Sequence, residues 1–350
     1  MTDDNPQAVA QAPHAGPDLV GDPYTDRDRI AAGRTRSCAI CGGSTGVFRA
    51  GLYDDRYGYP GTFVLLRCQS CGHKMLDADF SETELNALYS AWYPRSTLNL
   101  DEFKPYEELH GRRAWLNGEQ ASAFRWVPRG VRVLDIGCGF GETLAYHRAR
   151  GCDAHGVDAD ENVLRAAQRF GLNARAGLFD ASNYEPGSFD FVTLDQVIEH
   201  VVDPRAFLAG VAKVLRPGGT IILSTPNSNG LGARLAGRRW INWHVPYHLH
   251  LFSRRSLAIL AQRAGLQVES VRTLTSSRWL KYQWMHLFSR PPEGIPSPFW
   301  DAERATLIVP PRAVRLAEDG ERFLAFQIVT RVADALGVGD NYLCFVHKAG

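Results

Sequence analysis

The chain has 350 residues, a formal net charge of +1, 45% hydrophobic and 22% charged residues. This balance excludes a disordered polyelectrolyte and leaves enough apolar material for one large or two smaller domains. It also lacks the broad positive field of a nucleic-acid binder, and no apolar run approaches the roughly 18 residues that cross a bilayer.

In chain order, residues 1–36 are rich in Asp, Pro, Ala and Gly and contain no apolar core of a secretory signal. They predict a disordered leader and, with it, a cytoplasmic protein whose cysteines stay reduced. Two identical knuckles follow, Cys38-x-x-Cys41-Gly42 and Cys68-x-x-Cys71-Gly72. Each glycine permits the turn that aims a pair of thiolates at one ion, so the four predict a tetrahedral, structural Zn2+ site. A zinc ribbon is expected over 37–80, with strands inside 47–67 around the turn Gly58-Tyr59-Pro60-Gly61. Two disulfides are the alternative and would need an oxidising compartment. Cys138, Cys152 and Cys344 lie in apolar or backbone-tight contexts and predict inert fillers. Residues 81–127 read as a helical linker or lid. Within it, 81–92 is a helix capped by Ser81 with Glu84 at the capping-box position, and 106–126 a longer amphipathic helix. Trp92, Tyr93, Phe103 and Tyr106 line a pocket lid or pack between ribbon and sheet.

From 128 to 350 strands and helices alternate: strands at 131–136, 153–157, 173–176, 189–194, 220–224 and 267–273, helices at 142–150, 161–170, 204–215 and 254–264. Alternation of this kind predicts a parallel sheet with helices on both faces. The first strand delivers Asp135 into the turn Gly137-Cys138-Gly139-Phe140-Gly141, where glycine lets the backbone approach a ligand closely. Asp158 ends the second strand, where a ribose-binding acid is expected.

Acid-x-Gly-x-Gly-x-Gly, Asp158, the Ser188-Phe189-Asp190 opening of the fourth strand and Leu215-Arg216-Pro217-Gly218-Gly219 together resemble the class I S-adenosylmethionine-dependent methyltransferases over 131–275. The resemblance implies an α/β, Rossmann-like, doubly wound sheet of seven strands ending in an antiparallel hairpin. Residues 267–273 and 341–347 would form that hairpin, with 275–340 as an insertion holding helices at 279–288 and 320–336. It also implies S-adenosyl-L-methionine as cofactor, held by Asp135, Gly137, Cys138, Gly139, Gly141, Asp158, Ala159, Phe179, Asp195 and Gln196. Asp180 lies beside Phe179 near the expected adenine, while Leu178 replaces the usual acid there.

Glu199-His200 resembles the Glu-His pair that follows the fourth strand in ubiquinone-type and sugar-type small-molecule methyltransferases. Some relatives hold a divalent ion there through Glu-x-x-Glu-His, but Gln196 replaces the first Glu. The pair predicts either acid–base chemistry or orientation of the next helix, which Asp203-Pro204 caps. After the fifth strand, residues 240–252 bring His244, His248 and His250 together with large aromatics; if extended, His248 and His250 share one side. Pro246-x-His248-x-His250-x-Phe252 resembles bacterial zinc-ribbon methyltransferases of glycan and natural-product pathways. The expected catalytic residues are therefore His248, His200, Glu199 and His244. Arg234, Arg238, Arg239, Arg254 and Arg255 suit an anionic acceptor or a solvated face. The expected activity is O- or C-methylation of a sugar, polyketide or related metabolite. The alternatives are an RNA methyltransferase that grips nucleic acid with its ribbon, and a non-catalytic cofactor-binding scaffold.

Overall fold

A computed structural model describes residues 36–93, 100–301, 304 and 309–350. The expected leader therefore lies outside the described residues, save for Arg36. Seven strands form the main sheet: β4 (Arg132–Ile136), β5 (Asp153–Asp158), β6 (Asn173–Ala176), β7 (Phe189–Asp195), β8 (Leu215–Pro226), β10 (Leu266–Thr273) and β11 (Asn341–Lys348). Their spatial order is β10-β11-β8-β7-β4-β5-β6. β4 through β8 pair in parallel, and β11 enters antiparallel between β8 and β10. The chain runs outward from β4 to β6 and then returns to lay β7 on the other side of β4. Their C-terminal ends therefore flank the topological switch point, where open α/β sheets bind ligands.

Helices cover both faces. They are α3 (Glu142–Ala149), α4 (Asn162–Phe170), α5 (Pro204–Val214) and α7 (Arg254–Arg263). Local chemistry sets their starts. Asp203 accepts from the amides of Arg205 and Ala206 at 2.9 and 3.1 Å with Pro204 in the first turn, satisfying orphan donors of the helix end. Ser253 and Ser256 form a reciprocal cap for α7. The buried faces of β4, β7 and β8 (Leu134, Val192, Leu194, Ile221, Leu223) make the core with Leu208, Val211, Leu257 and Leu260.

The second sheet holds β1 (Thr45–Leu52), β2 (Phe63–Cys68) and β3 (Lys74–Leu76), in antiparallel order. Its fourth strand is β9 (His250–Leu251), which comes from much later in the sequence and pairs Lys74 with Leu251 and Met75 with His250. The ribbon is thus not a separate appendage; the loop after β8 completes its sheet.

Three sequence expectations change. The single helix over 106–126 is a short α2 (Gly111–Asn117) followed by 3-10 turns at Glu119–Ala121 and Ala123–Trp126. Gly118 stops it at φ 66°, where a Cβ would lie 2.2 Å from the Thr275 carbonyl oxygen. The helix expected over 320–336 is two, α9 (Pro311–Arg322) and α10 (Ala325–Ala335), separated by Leu324 at φ 59°. β8 begins at Leu215, earlier than expected. The helix α1 (Glu82–Trp92) has its Ser81–Glu84 capping box, and α8 (Ser277–Ser289) opens the insertion between β10 and β11.

Candidate cofactor cleft and histidine cluster

Beyond β4, Gly137, Gly139 and Gly141 stand at φ 80°, 60° and 97°, a region that side chains other than hydrogen strain. At Gly137 space is also closed, since a Cβ would lie 2.5 Å from Cγ2 of Val197 in the loop after β7. The glycine turn and the 196–200 loop are therefore in contact. Asp135 lies beneath the turn, 2% exposed, and accepts from Thr193 Oγ1 at 2.6 Å and from Thr143 Oγ1. Burial pushes its pKa up to about 7 against the pull of those hydroxyls. Its carboxyl is occupied in fastening α3 and β7 to the turn. Cys138 is buried, with its thiol against Gly156, so its main chain is what faces the turn. Asp158 meets the same rim: Oδ2 accepts from the Gly139 amide at 2.8 Å and Oδ1 from the Asp160 amide at 2.9 Å.

A cleft of about 720 Å3 opens beside Asp158, lined by Ala159, Asp160, Gly177 and Leu178 and, from α1, Asn86 and Ser90. That volume is within the range of small-molecule pockets. The sequence reading missed Asn86 and Ser90, because nothing in an amphipathic pattern says which sheet edge the polar face of α1 covers. Leu178 lines the cleft, whereas the Phe179 ring lies 5.9 Å from Tyr184 and 5.7 Å from Phe207. Asp180 accepts from the Ser182 amide at 2.9 Å and caps a 3-10 turn.

At the end of β7, Asp195 accepts from Ser224 Oγ, and burial raises its pKa. Gln196 stands at φ 57° and donates to Ser224 Oγ at 2.8 Å and Asn341 Oδ1 at 2.9 Å, away from Glu199. Glu199 is fully buried. Its Oε2 accepts from Thr225 Oγ1 at 3.0 Å, while Oε1 has no partner among the described residues. Burial raises its pKa to about 8. The His200 ring lies 4.7 Å from that of His248, and His248 lies 4.8 Å from His244. Nδ1 of His248 is 2.9 Å from the Asn242 carbonyl oxygen, which can only accept. The ring hydrogen is therefore on Nδ1, and Nε2 keeps its lone pair. His200 Nδ1 faces the Tyr247 carbonyl at 3.0 Å and Tyr89 Oη at 2.6 Å. Burial lowers His200 to about 4 and holds His244 and His248 well below the ordinary imidazole range, so all three are neutral at pH 7. His244 occupies φ 40° with Nε2 unpartnered among the described residues. Tyr89, Asn242 and Thr225 were missed by the sequence reading.

His248 and His250 do not share a side. The His248 amide donates back to the His244 carbonyl at 2.9 Å, forming a turn, and the extended segment starts only at His250. His250 instead reaches His73 of the ribbon, ring nitrogens 3.1 Å apart. The four aromatics read as a pocket lid or as packing between ribbon and sheet go to different places. Tyr93 joins the cluster, 6.0 Å from His244, and Trp92 meets Tyr59. Phe103 stacks on Phe170 and Tyr106 lies against Phe124. Of the lid arginines, Arg238 donates to the Gly51 carbonyl and Arg254 to the Val271 carbonyl.

The four ribbon cysteines are free thiols whose Sγ atoms all lie within 4.8 Å of one another. Cys38–Cys71 and Cys41–Cys68 are 3.7 and 3.4 Å apart, too far for disulfides and close to the roughly 3.8 Å edge of a ZnS4 tetrahedron. Amides of Ile40, Gly43 and Cys71 point at the sulfurs, as thiolates require. The donor set fits a structural zinc with no open position. Glu199, His200 and His248 also bring ligand atoms within 4.8 Å of one another.

A family model described as a methyltransferase domain matches residues 106–271. The ubiquinone biosynthesis O-methyltransferase of Thiobacillus denitrificans is 32% identical over 202 residues, covering 53% of this chain and 81% of that protein. That of Pseudomonas aeruginosa is 29% identical over 223 residues, covering 59% and 92%. Among solved structures, the 1,6-didemethyltoxoflavin-N1-methyltransferase of Burkholderia thailandensis covers 63% of this chain and 72% of its own at 17% identity and a TM-score of 0.37. The chain belongs to the class I S-adenosylmethionine-dependent methyltransferases.

Proposed function

We propose that the chain transfers the methyl group of S-adenosylmethionine to an oxygen of a small-molecule acceptor, with His248 as the base. The observation that carries this reading is the His248 Nε2 lone pair, left free by the Nδ1 bond to Asn242, on a ring 4.7 Å from that of His200 in a cluster that includes Glu199. Bound cofactor supplies an electrophilic methyl carbon on a charged sulfur. The chain's share is alignment and proton removal. Gly137 to Gly141 present main chain to the amino-acid end, Asp158 accepts from ribose hydroxyls, and the cleft at Ala159 and Leu178 takes the adenosine. Holding the acceptor oxygen in line with the methyl carbon contributes several kcal/mol, and the neutral His248 takes the hydroxyl proton. Glu199, protonated near neutral pH, offers an O–H from its unpartnered oxygen to the acceptor. The names of the two relatives support oxygen over carbon as the receiving atom. Among the described residues no helix is long and apolar enough to cross a membrane.

The test is His248→Ala, screened with phenolic and sugar acceptors for S-adenosylhomocysteine release. Turnover should fall roughly 10²–10⁴-fold with cofactor affinity unchanged; unaltered turnover removes His248 from the mechanism. The closeness of Glu199, His200 and His248 carries a second reading, in which they hold a divalent cation. Loss of turnover on chelation, with the ribbon zinc retained, would favour it.

A further inference from the structure

Arg56 is only 4% exposed, yet among the described residues no carboxylate lies within ion-pair distance of it. Its Nη2 donates to the Ile241 carbonyl and the guanidinium also hydrogen-bonds the Tyr57 side chain, while its Nε has no partner among the described residues. The acids beside it in sequence are committed elsewhere. Asp54 accepts from the amides of Arg56, Tyr57 and Tyr59 at 3.0, 3.0 and 2.9 Å. Asp55 holds His286 and Arg290, each at 3.1 Å. A buried guanidinium without a counter-charge is costly, and native proteins pair such groups.

The residue is also rigidly placed. Its guanidinium lies 4.2 Å from the centroid of the Trp300 ring. Trp300 Nε1 donates to His286 Nδ1 at 3.1 Å, and His286 Nε2 donates to Asp55. The insertion between β10 and β11 therefore orients the arginine through Trp300 and His286. The next residue, Tyr57, packs its ring 4.9 Å from Tyr93, 5.5 Å from Tyr247 and 5.7 Å from His244. The charge acts on the same cluster, since Arg56 is among the groups that depress His200, His244 and His248.

Resting on the acid–base reading of that cluster, we infer that Arg56 is the specificity residue of the acceptor site and pairs with an anionic oxygen group, carboxylate or phosphate, on a planar ring. A fixed guanidinium takes either anion in bidentate fashion, and the tyrosine and histidine rings supply flat apolar contacts. Arg56 acts by positioning; it does not exchange protons with the acceptor.

The experiment is calorimetry on full-length, zinc-replete protein saturated with S-adenosylhomocysteine, titrated with 3,4-dihydroxybenzoate, 3,4-dihydroxybenzamide, catechol and phenyl phosphate. At least one of the two anions should bind ten-fold or more tighter than the neutral rings. Arg56→Gln should erase that gap and Arg56→Lys should recover part of it. A phosphate preference over the carboxylate would identify which anion the site takes. Binding of neither anion more tightly than the neutral rings by the wild type, or a gap that survives Arg56→Gln, overturns the proposal. The wild-type comparison decides even if the variants do not fold. Failure to bind S-adenosylhomocysteine at all would instead overturn the methyltransferase reading.

Discussion

Replacing Glu199 by glutamine should make the protein more stable at alkaline pH and leave it unchanged in acid. Glu199 is fully buried with one oxygen unpartnered, and burial raises its pKa to about 8 from an ordinary 4.5. The unfolded chain releases this proton near pH 4.5 while the folded protein keeps it to about pH 8. The folded state therefore binds more protons across that window, and its stability falls as pH rises through it. The favourable contribution is complete below the unfolded value and gone above the folded one. Taken at face value the shift amounts to at most about 5 kcal/mol; relaxation around the ionised carboxylate reduces this to about 2 kcal/mol. Glutamine is isosteric with the protonated acid, still accepts from Thr225 Oγ1, and cannot ionise. Thermal denaturation of both proteins at pH 5, 7 and 9 should show no difference at the acid end. At the alkaline end the variant should melt about 3 °C higher, the shift expected of that energy in a chain of this size. Asp135, raised to about 7, contributes its own slope, but equally to both proteins. A difference in melting temperature that does not change with pH, or that turns against the variant at high pH, would refute the burial argument.

Elemental analysis should find one zinc per chain, and Cys68→Ser or strong chelation should lower the melting temperature, because structural zinc binding is folding energy. The ribbon also holds β9, whose first residue His250 and the preceding Leu249 donate amides to the Glu199 carbonyl at 3.0 and 2.9 Å. Zinc loss should consequently reduce turnover more than cofactor affinity, measured by calorimetry beside the activity assay; equal loss of both would disconnect the ribbon from the acceptor side. Gly137→Ala combines φ 80° with a Cβ placed 2.5 Å from Val197. It should cost about 2 kcal/mol of stability and weaken cofactor binding ten-fold or more. Adding Val197→Ala should restore part of both, and no recovery would mean that the strain is confined to the backbone.

The parts of this protein legible in sequence are those whose chemistry is local. A run of apolar residues feeding Gly137, Gly139 and Gly141 announces a strand and a tight turn, and two Cys-x-x-Cys-Gly knuckles announce one ion. Ser81 with Glu84, and Asp203 with Pro204, mark helix starts by hydrogen bonds that span only a few residues. What the sequence does not display is long-range pairing. His250 completes the ribbon sheet through β3 and contacts His73, a partner far away in the chain. That pairing, with the turn closed on the His244 carbonyl, separates His248 from His250. Helix ends set by tertiary clashes are hidden for the same reason. Gly118 ends α2 because the Thr275 carbonyl leaves no room for a Cβ, and Thr275 is far from it in sequence. Arg56 drew no notice because its significance lies in what is missing around it.

The account stands on the glycine turn and Asp158 forming a cofactor site at the switch point of the sheet. Titration of zinc-replete protein with S-adenosylmethionine in a calorimeter tests this directly. A saturable heat with a single site per chain, weakened by Gly137→Ala, is the expected outcome. Absence of any binding heat at millimolar cofactor, from protein whose zinc and melting transition are intact, would contradict it.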